Sequence, residues 1–148
     1  MLNDEAMKER WVHVEQNFTA SRDTVFDYLA EHENLAPLFG AKVTRVKDGD
    51  SERNGVNSVR LVKVGPAAPV EETVTEFVRP ELIEYRVTHG GPLKNHVGIQ
   101  KFSERPGNGS HLDYRIRISS NIPGVGFVLH KILTAGITKG LAGLNAKL

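Results

Sequence analysis

Cysteine is absent from this sequence. That excludes a disulfide framework and any thiolate metal site, and it permits a reducing compartment. No charge sign dominates either. Nineteen Lys and Arg stand against eighteen Asp and Glu, without a Lys/Arg-rich tract, so the electrostatic footprint of a nucleic-acid binder is missing and no nucleic-acid partner is expected. Residues 1–10 are half charged and lack the apolar centre of a signal peptide, so the expectation is no export and a cytoplasmic location. The most apolar stretch, residues 122–148, is interrupted by His130, Lys131, Lys139 and Lys147. It reads as an amphipathic helix too polar for stable membrane insertion.

What is present fits one domain. A chain of 148 residues can bury roughly 70% of its unfolded surface, enough for a core but tight for two domains. Residues 1–10 read as a flexible lead-in and 11–148 as the single folded unit. From Trp11 to Phe18 apolar and polar side chains alternate, the pattern of a half-buried strand. Ser21 is placed as an N-cap for a helix carrying Val25, Phe26 and Leu29, and a second short helix is expected over 32–39, broken by Pro37 and stopped at Gly40. Between residues 42 and 119, runs of β-favouring residues are separated by turn-formers. They give six strands, at 43–47, 56–64, 70–78, 82–88, 97–103 and 111–119. Loops this short imply an antiparallel meander.

The C-terminal segment keeps helical spacing after Pro123-Gly124. At about 100° per residue, Val125, Leu129, Ile132, Leu133 and Leu144 share a broad face with Gly136, Gly140 and Gly143. Interior helical glycine costs roughly 1 kcal/mol relative to alanine, so these need a packing reason. Either the missing side chains leave volume for a guest between helix and sheet, or they let another backbone approach.

The order of strand, two small helices, six-strand meander and long helix resembles the helix-grip fold of the START/SRPBCC (Bet v-type) superfamily, and within it the polyketide cyclase/dehydrase and lipid-transport branch. The likeness is carried by residues 20–29, the Gly55–Gly65 stretch with Val59 and Arg60, Glu72, Pro80 to Tyr85 with Gly91-Pro92, and the closing Gly143-Leu144 helix. It implies an α+β fold in which a seven-stranded curved antiparallel sheet wraps around the C-terminal helix and encloses a cavity for hydrophobic or amphipathic guests.

Strand parity then proposes polar groups for that cavity. If His89 opposes His96, Tyr85 opposes Gln100, and with Phe102 opposite Leu112, Gln100 opposes Tyr114. Tyr85, Gln100 and Tyr114 would line up on the face that holds Leu112, Ile116 and Ile118. They either anchor a ligand or satisfy one another in a core. Arg60 has two readings as well. The resemblance implies a cation in the cavity able to polarise a carbonyl, whereas sheet geometry suggests a pair with Glu72.

The expected ligand-binding set is therefore Arg60, Tyr85, His96, Gln100, Tyr114, Ile116, Leu129, Ile132, Gly136 and Gly140. If the protein is an enzyme, the candidate catalytic residues are Arg60, Tyr85 and Tyr114. The six histidines show no metal-ligand spacing and no acid in a ligand pattern, so no metal and no cofactor are expected. The leading function is binding of a hydrophobic small molecule by a monomer or homodimer. The alternatives are a cyclase, aromatase or dehydratase, and a partner- or membrane-surface module using the C-terminal helix.

Overall fold

The computed structural model describes residues 8–148. Most of the expected lead-in therefore lies outside the described residues, and the first strand starts at Arg10, one residue earlier than the pattern suggested. That strand, β1 (Arg10–Phe18), turns Val12, Val14 and Phe18 inward. It leads into α1 (Arg22–Ala30), whose Ser21 cap accepts from the Thr24 backbone N–H at 3.2 Å. Val25, Phe26 and Leu29 are buried on its inner face.

The expected second helix is two pieces, a 3-10 turn over His32–Leu35 and α2 (Ala36–Phe39). Pro37 sits in the first turn of α2, where no backbone donor is required. Gly40 ends it in the left-handed conformation at φ 58°.

The rest is the meander β2 (Lys42–Lys47), β3 (Val59–Lys63), β4 (Val70–Val78), β5 (Leu82–His89), β6 (Leu93–Glu104) and β7 (Ser110–Ser120), followed by α3 (Val125–Lys147). The seven-stranded antiparallel sheet has the order β1-β7-β6-β5-β4-β3-β2, so the first and last strands pair. Two strand limits differ from the sequence reading by more than one residue. β3 starts at Val59 because Asn57 adopts φ 71° in the preceding turn. β6 runs back to Leu93 across a bulge centred on Asn95, whose φ is 52°.

Helix α3 is rotated relative to the expected face. Its inward stripe is Gly126, Ile137, Leu141 and Leu144, with Leu129 and Leu133 half-buried. Ile132 is 52% exposed. The glycines account for the rotation. A Cβ on Gly140 would lie 3.2 Å from the Leu38 Cα, and one on Gly136 would lie 3.4 Å from the Leu38 carbonyl oxygen, so α2 occupies the flank that the missing side chains leave open. A Cβ on Gly143 would meet nothing within 4 Å.

By length and composition α3 is also apolar enough to cross a membrane, contrary to the expectation drawn from its His and Lys residues. Here it lies against the sheet through one stripe and leaves most of its surface uncovered.

Candidate functional site

Between α3 and the sheet lies an apolar cavity of about 130 Å³. Leu129 and Leu133 of α3, Val62 and Val70 of β3 and β4, and Phe39 of α2 are among the apolar residues that line it. Its polar side chains are Glu72, Tyr85 and His96. Of the residues expected from sequence, Tyr85, His96, Ile116 and Leu129 line this space. Ile132, Gly136 and Gly140 line a different feature, an outer groove of about 570 Å³ between α3 and α2 that also includes Leu38, Lys139 and Lys147. Arg60, Gln100 and Tyr114 are at most 2% exposed and lie behind the cavity wall.

The register explains the polar arrangement. Gln100 faces Tyr114 across β6 and β7 as expected. Tyr85 faces Gly98, and Gln100 faces Ile83, a shift of two residues from the expected pairing. An even shift keeps every side chain on its face, so the inward set survives while its contacts change. Because Gly98 has no side chain, the Tyr85 ring lies over it and its hydroxyl meets that of Tyr114 directly. Gln100 Nε2 consequently has no partner among the described residues. Burial pushes both phenols up, Tyr85 well above its ordinary value, so each holds its proton at neutral pH.

Arg60 and Glu72 are directly opposite on β3 and β4. The guanidinium donates from Nε to Glu72 Oε1 at 2.8 Å, with both residues buried. The same guanidinium stacks on the Tyr85 ring at 4.6 Å. Its Nη2 is buried and unpartnered among the described residues.

His96 is fixed from the other side. The bulge at Asn95 diverts β6, the ladder with β5 ends at Tyr85 and Gly98, and the Val87 N–H donates to His96 Nδ1 at 3.0 Å. Burial lowers the His96 pKa, so the ring is neutral and its proton sits on Nε2. The expected approach of His89 to His96 does not form in this register.

Two groupings escaped the sequence reading. His32, wholly buried, meets Ser58 Oγ at 3.0 Å while that hydroxyl donates to the Gly55 carbonyl at 2.7 Å. The serine proton is thereby engaged with backbone, and the pair pins the 3-10 turn to the loop before β3. On the outer sheet face His13, Glu15 and Asp113 converge closely enough to hold an ion, although the sequence offered no recognised ligand spacing. The cross-strand pairing of Glu15 with Asp113 produces it. Each acid already has a partner, Arg115 on Asp113 at 3.0 Å and His111 on Glu15 at 3.1 Å.

A curved antiparallel sheet gripping a C-terminal helix, with two short helices after β1 and an apolar cavity between the layers, is the architecture of the Bet v1/START class. The chain belongs to the family described as polyketide cyclase/dehydrase and lipid transport, whose model matches residues 11–148. Among solved structures it is similar to a START superfamily protein from Mycobacterium smegmatis, with a TM-score of 0.76 at 12% identity over 93% of this chain and 97% of that one. The protein XoxI from Bacillus cereus matches with a TM-score of 0.70 at 13% identity, covering 93% and 94%. Norcoclaurine synthase from Thalictrum flavum, solved with dopamine and hydroxybenzaldehyde, gives 0.69 at 14% identity, covering 99% and 90%. Identities this low establish a shared fold. No curated protein matches the sequence.

Proposed function

We propose that this protein binds a small hydrophobic or amphipathic molecule in the cavity between α3 and the sheet, as a carrier or sensor rather than a catalyst. The observation that supports this reading most directly is an apolar space edged by a few fixed polar groups, the usual composition of a small-molecule site. Its size suggests the scale of the guest. A cavity near 150 Å³ accommodates a benzene-sized molecule, so about 130 Å³ suits one ring or a short acyl segment without rearrangement.

The groups that a cyclase or dehydratase would use are engaged with one another. Tyr85 is bonded to Tyr114, and Arg60 is bonded to Glu72. Chemistry would require a substrate to displace these bonds, whereas binding does not.

Filling the cavity tests the reading. Leu133→Trp should abolish binding of an apolar fluorescent dye and of any guest seen by native mass spectrometry, with the fold retained by circular dichroism. Undiminished binding to a folded variant would contradict it.

A second reading has its own observation. Asp113 is the last acidic residue, and every charged residue after it is basic, including Lys131, Lys139 and Lys147 on α3. On and beside that helix Ile122, Phe127, Val128 and Ile132 are each about half exposed. Apolar side chains interleaved with lysine suit an anionic bilayer surface. A second copy seated on the same face would bring lysines toward lysines. Sedimentation with phosphatidylglycerol vesicles but not phosphatidylcholine vesicles, lost in Phe127→Asp/Ile132→Asp, is the expected result. Equal sedimentation with both lipids, or with neither, would count against this role.

A further inference from the structure

We propose that the cavity selects an electroneutral single-ring guest bearing a hydroxyl, which donates to Glu72 Oε2 and accepts from His96 Nε2–H. This deepens the cavity reading above and rests on it.

Two polar atoms carry the inference. Glu72 lines the cavity, and its Oε1 is taken by Arg60 Nε. Its Oε2 has no hydrogen bond among the described residues and is not fully enclosed. His96 lines the same cavity. Its Nδ1 is occupied by the Val87 N–H, which leaves the proton on Nε2, and that nitrogen is likewise unpartnered without being sealed off. The cavity thus presents one acceptor and one donor on a surface that is otherwise largely apolar. A hydroxyl is the smallest group that answers both at once.

Charge excludes the obvious competitors. The Arg60 guanidinium lies against Glu72, so the wall carries a closed ion pair with no net charge left for a guest. A carboxylate would stand beside the Glu72 carboxylate and lose its hydration, while the unpartnered Arg60 Nη2 is sealed off from solvent-accessible space. An ammonium would find the Glu72 charge already balanced by Arg60. An uncharged hydroxyl gains two hydrogen bonds and asks for neither compensation. The Tyr85 and Tyr114 hydroxyls do not compete for the guest, since they are bonded to each other.

The experiment uses the whole protein and four ring-sized probes: 4-methylphenol, toluene, benzoate and benzylammonium. Affinities are read at neutral pH from amide chemical-shift titrations, following residues around Tyr85, His96 and Leu129. The expected result is that 4-methylphenol binds at least about tenfold more tightly than each of the others, the range one hydrogen bond to a charged group supplies. His96→Phe should narrow the preference for 4-methylphenol over toluene, because the hydroxyl then keeps only its bond to Glu72. If that variant does not fold, the wild-type series decides alone. Toluene binding as tightly as 4-methylphenol would overturn the hydroxyl selection while leaving the cavity reading intact. Benzoate or benzylammonium binding most tightly would overturn electroneutrality. Failure of all four to bind would overturn the cavity reading itself, and this proposal with it.

Discussion

The Tyr85 ring lies across the face of Gly98, so that a Cβ built on Gly98 would stand 2.1 Å from the ring's Cζ. The two residues are direct cross-strand partners on β5 and β6. The ring cannot simply swing aside, because its hydroxyl is bonded to Tyr114 and both tyrosines are 1% exposed. Gly98→Ala is therefore expected to overpack the core, destabilise the fold by about 1–3 kcal/mol and break the tyrosine pair. Urea denaturation gives the first quantity and the near-ultraviolet tyrosine signal reports the second. An alanine variant as stable as the parent would show that the ring relaxes freely.

Arg60 and Glu72 form a buried pair whose members depend on each other. Arg60→Met strands the carboxylate in an apolar wall and should cost about 3–5 kcal/mol, because an unpaired buried charge costs far more than the pair contributes. Arg60→Met/Glu72→Leu removes both charges and should recover most of that loss. A double-mutant cycle in urea measures the coupling. A double variant no more stable than Arg60→Met would mean that the pair's geometry, and not its charge balance, holds β3 to β4.

The wholly buried His32 predicts an acid limb in the stability profile. Burial lowers its pKa from 6.5 to about 3, with the nearby arginines Arg60 and Arg45 adding to the effect. A folded value below the unfolded one means that the unfolded chain takes up the proton first. The stabilising contribution is therefore complete above pH 6.5 and falls progressively as pH drops toward 3. Each unit of separation corresponds to about 1.4 kcal/mol, so the loss across that window is a few kcal/mol.

Glu31, held near 2 chiefly by its hydrogen bond to Arg53, adds a second loss only below its ordinary 4.5. His32→Gln should flatten the profile between pH 6.5 and 4.5 and leave only the Glu31 share of the loss below that. Thermal melts across that range would show an unchanged slope if His32 is not the group responsible.

Two glycines in α3 should respond differently to alanine. Gly143→Ala places a methyl in open space and should stabilise by up to about 1 kcal/mol through helix propensity. At Gly140 the same methyl meets the Leu38 Cα at 3.2 Å and its Cγ at 3.4 Å, so the propensity gain is offset by displacement of α2. Equal shifts in melting temperature for the two variants would refute the close approach of α2 to α3.

Much of this molecule was legible in the residues themselves. The Ser21 cap, the Gly40 stop and the short turns define the element order, and short turns force an antiparallel meander. Strand alternation also assigned Tyr85, Gln100, Tyr114 and Ile116 to the inner face correctly, because a parity read from local pattern survives any even slip of register. The slip itself was not visible. It depends on the bulge at Asn95 and on a ring settling over Gly98, both of which are decided by packing across strands.

The phase of α3 was likewise hidden. Three glycines look like empty volume in a sequence, and only the position of α2 reveals that Leu38 sits against two of them. The convergence of His32 with Ser58, 26 residues apart, has no sequence signal beyond the presence of both residue types. Local chemistry determined which segments are strands and helices and which way the strand side chains face. Tertiary packing decided which of those side chains meet, because contacts between elements depend on offsets and rotations of a few ångströms that no single segment encodes.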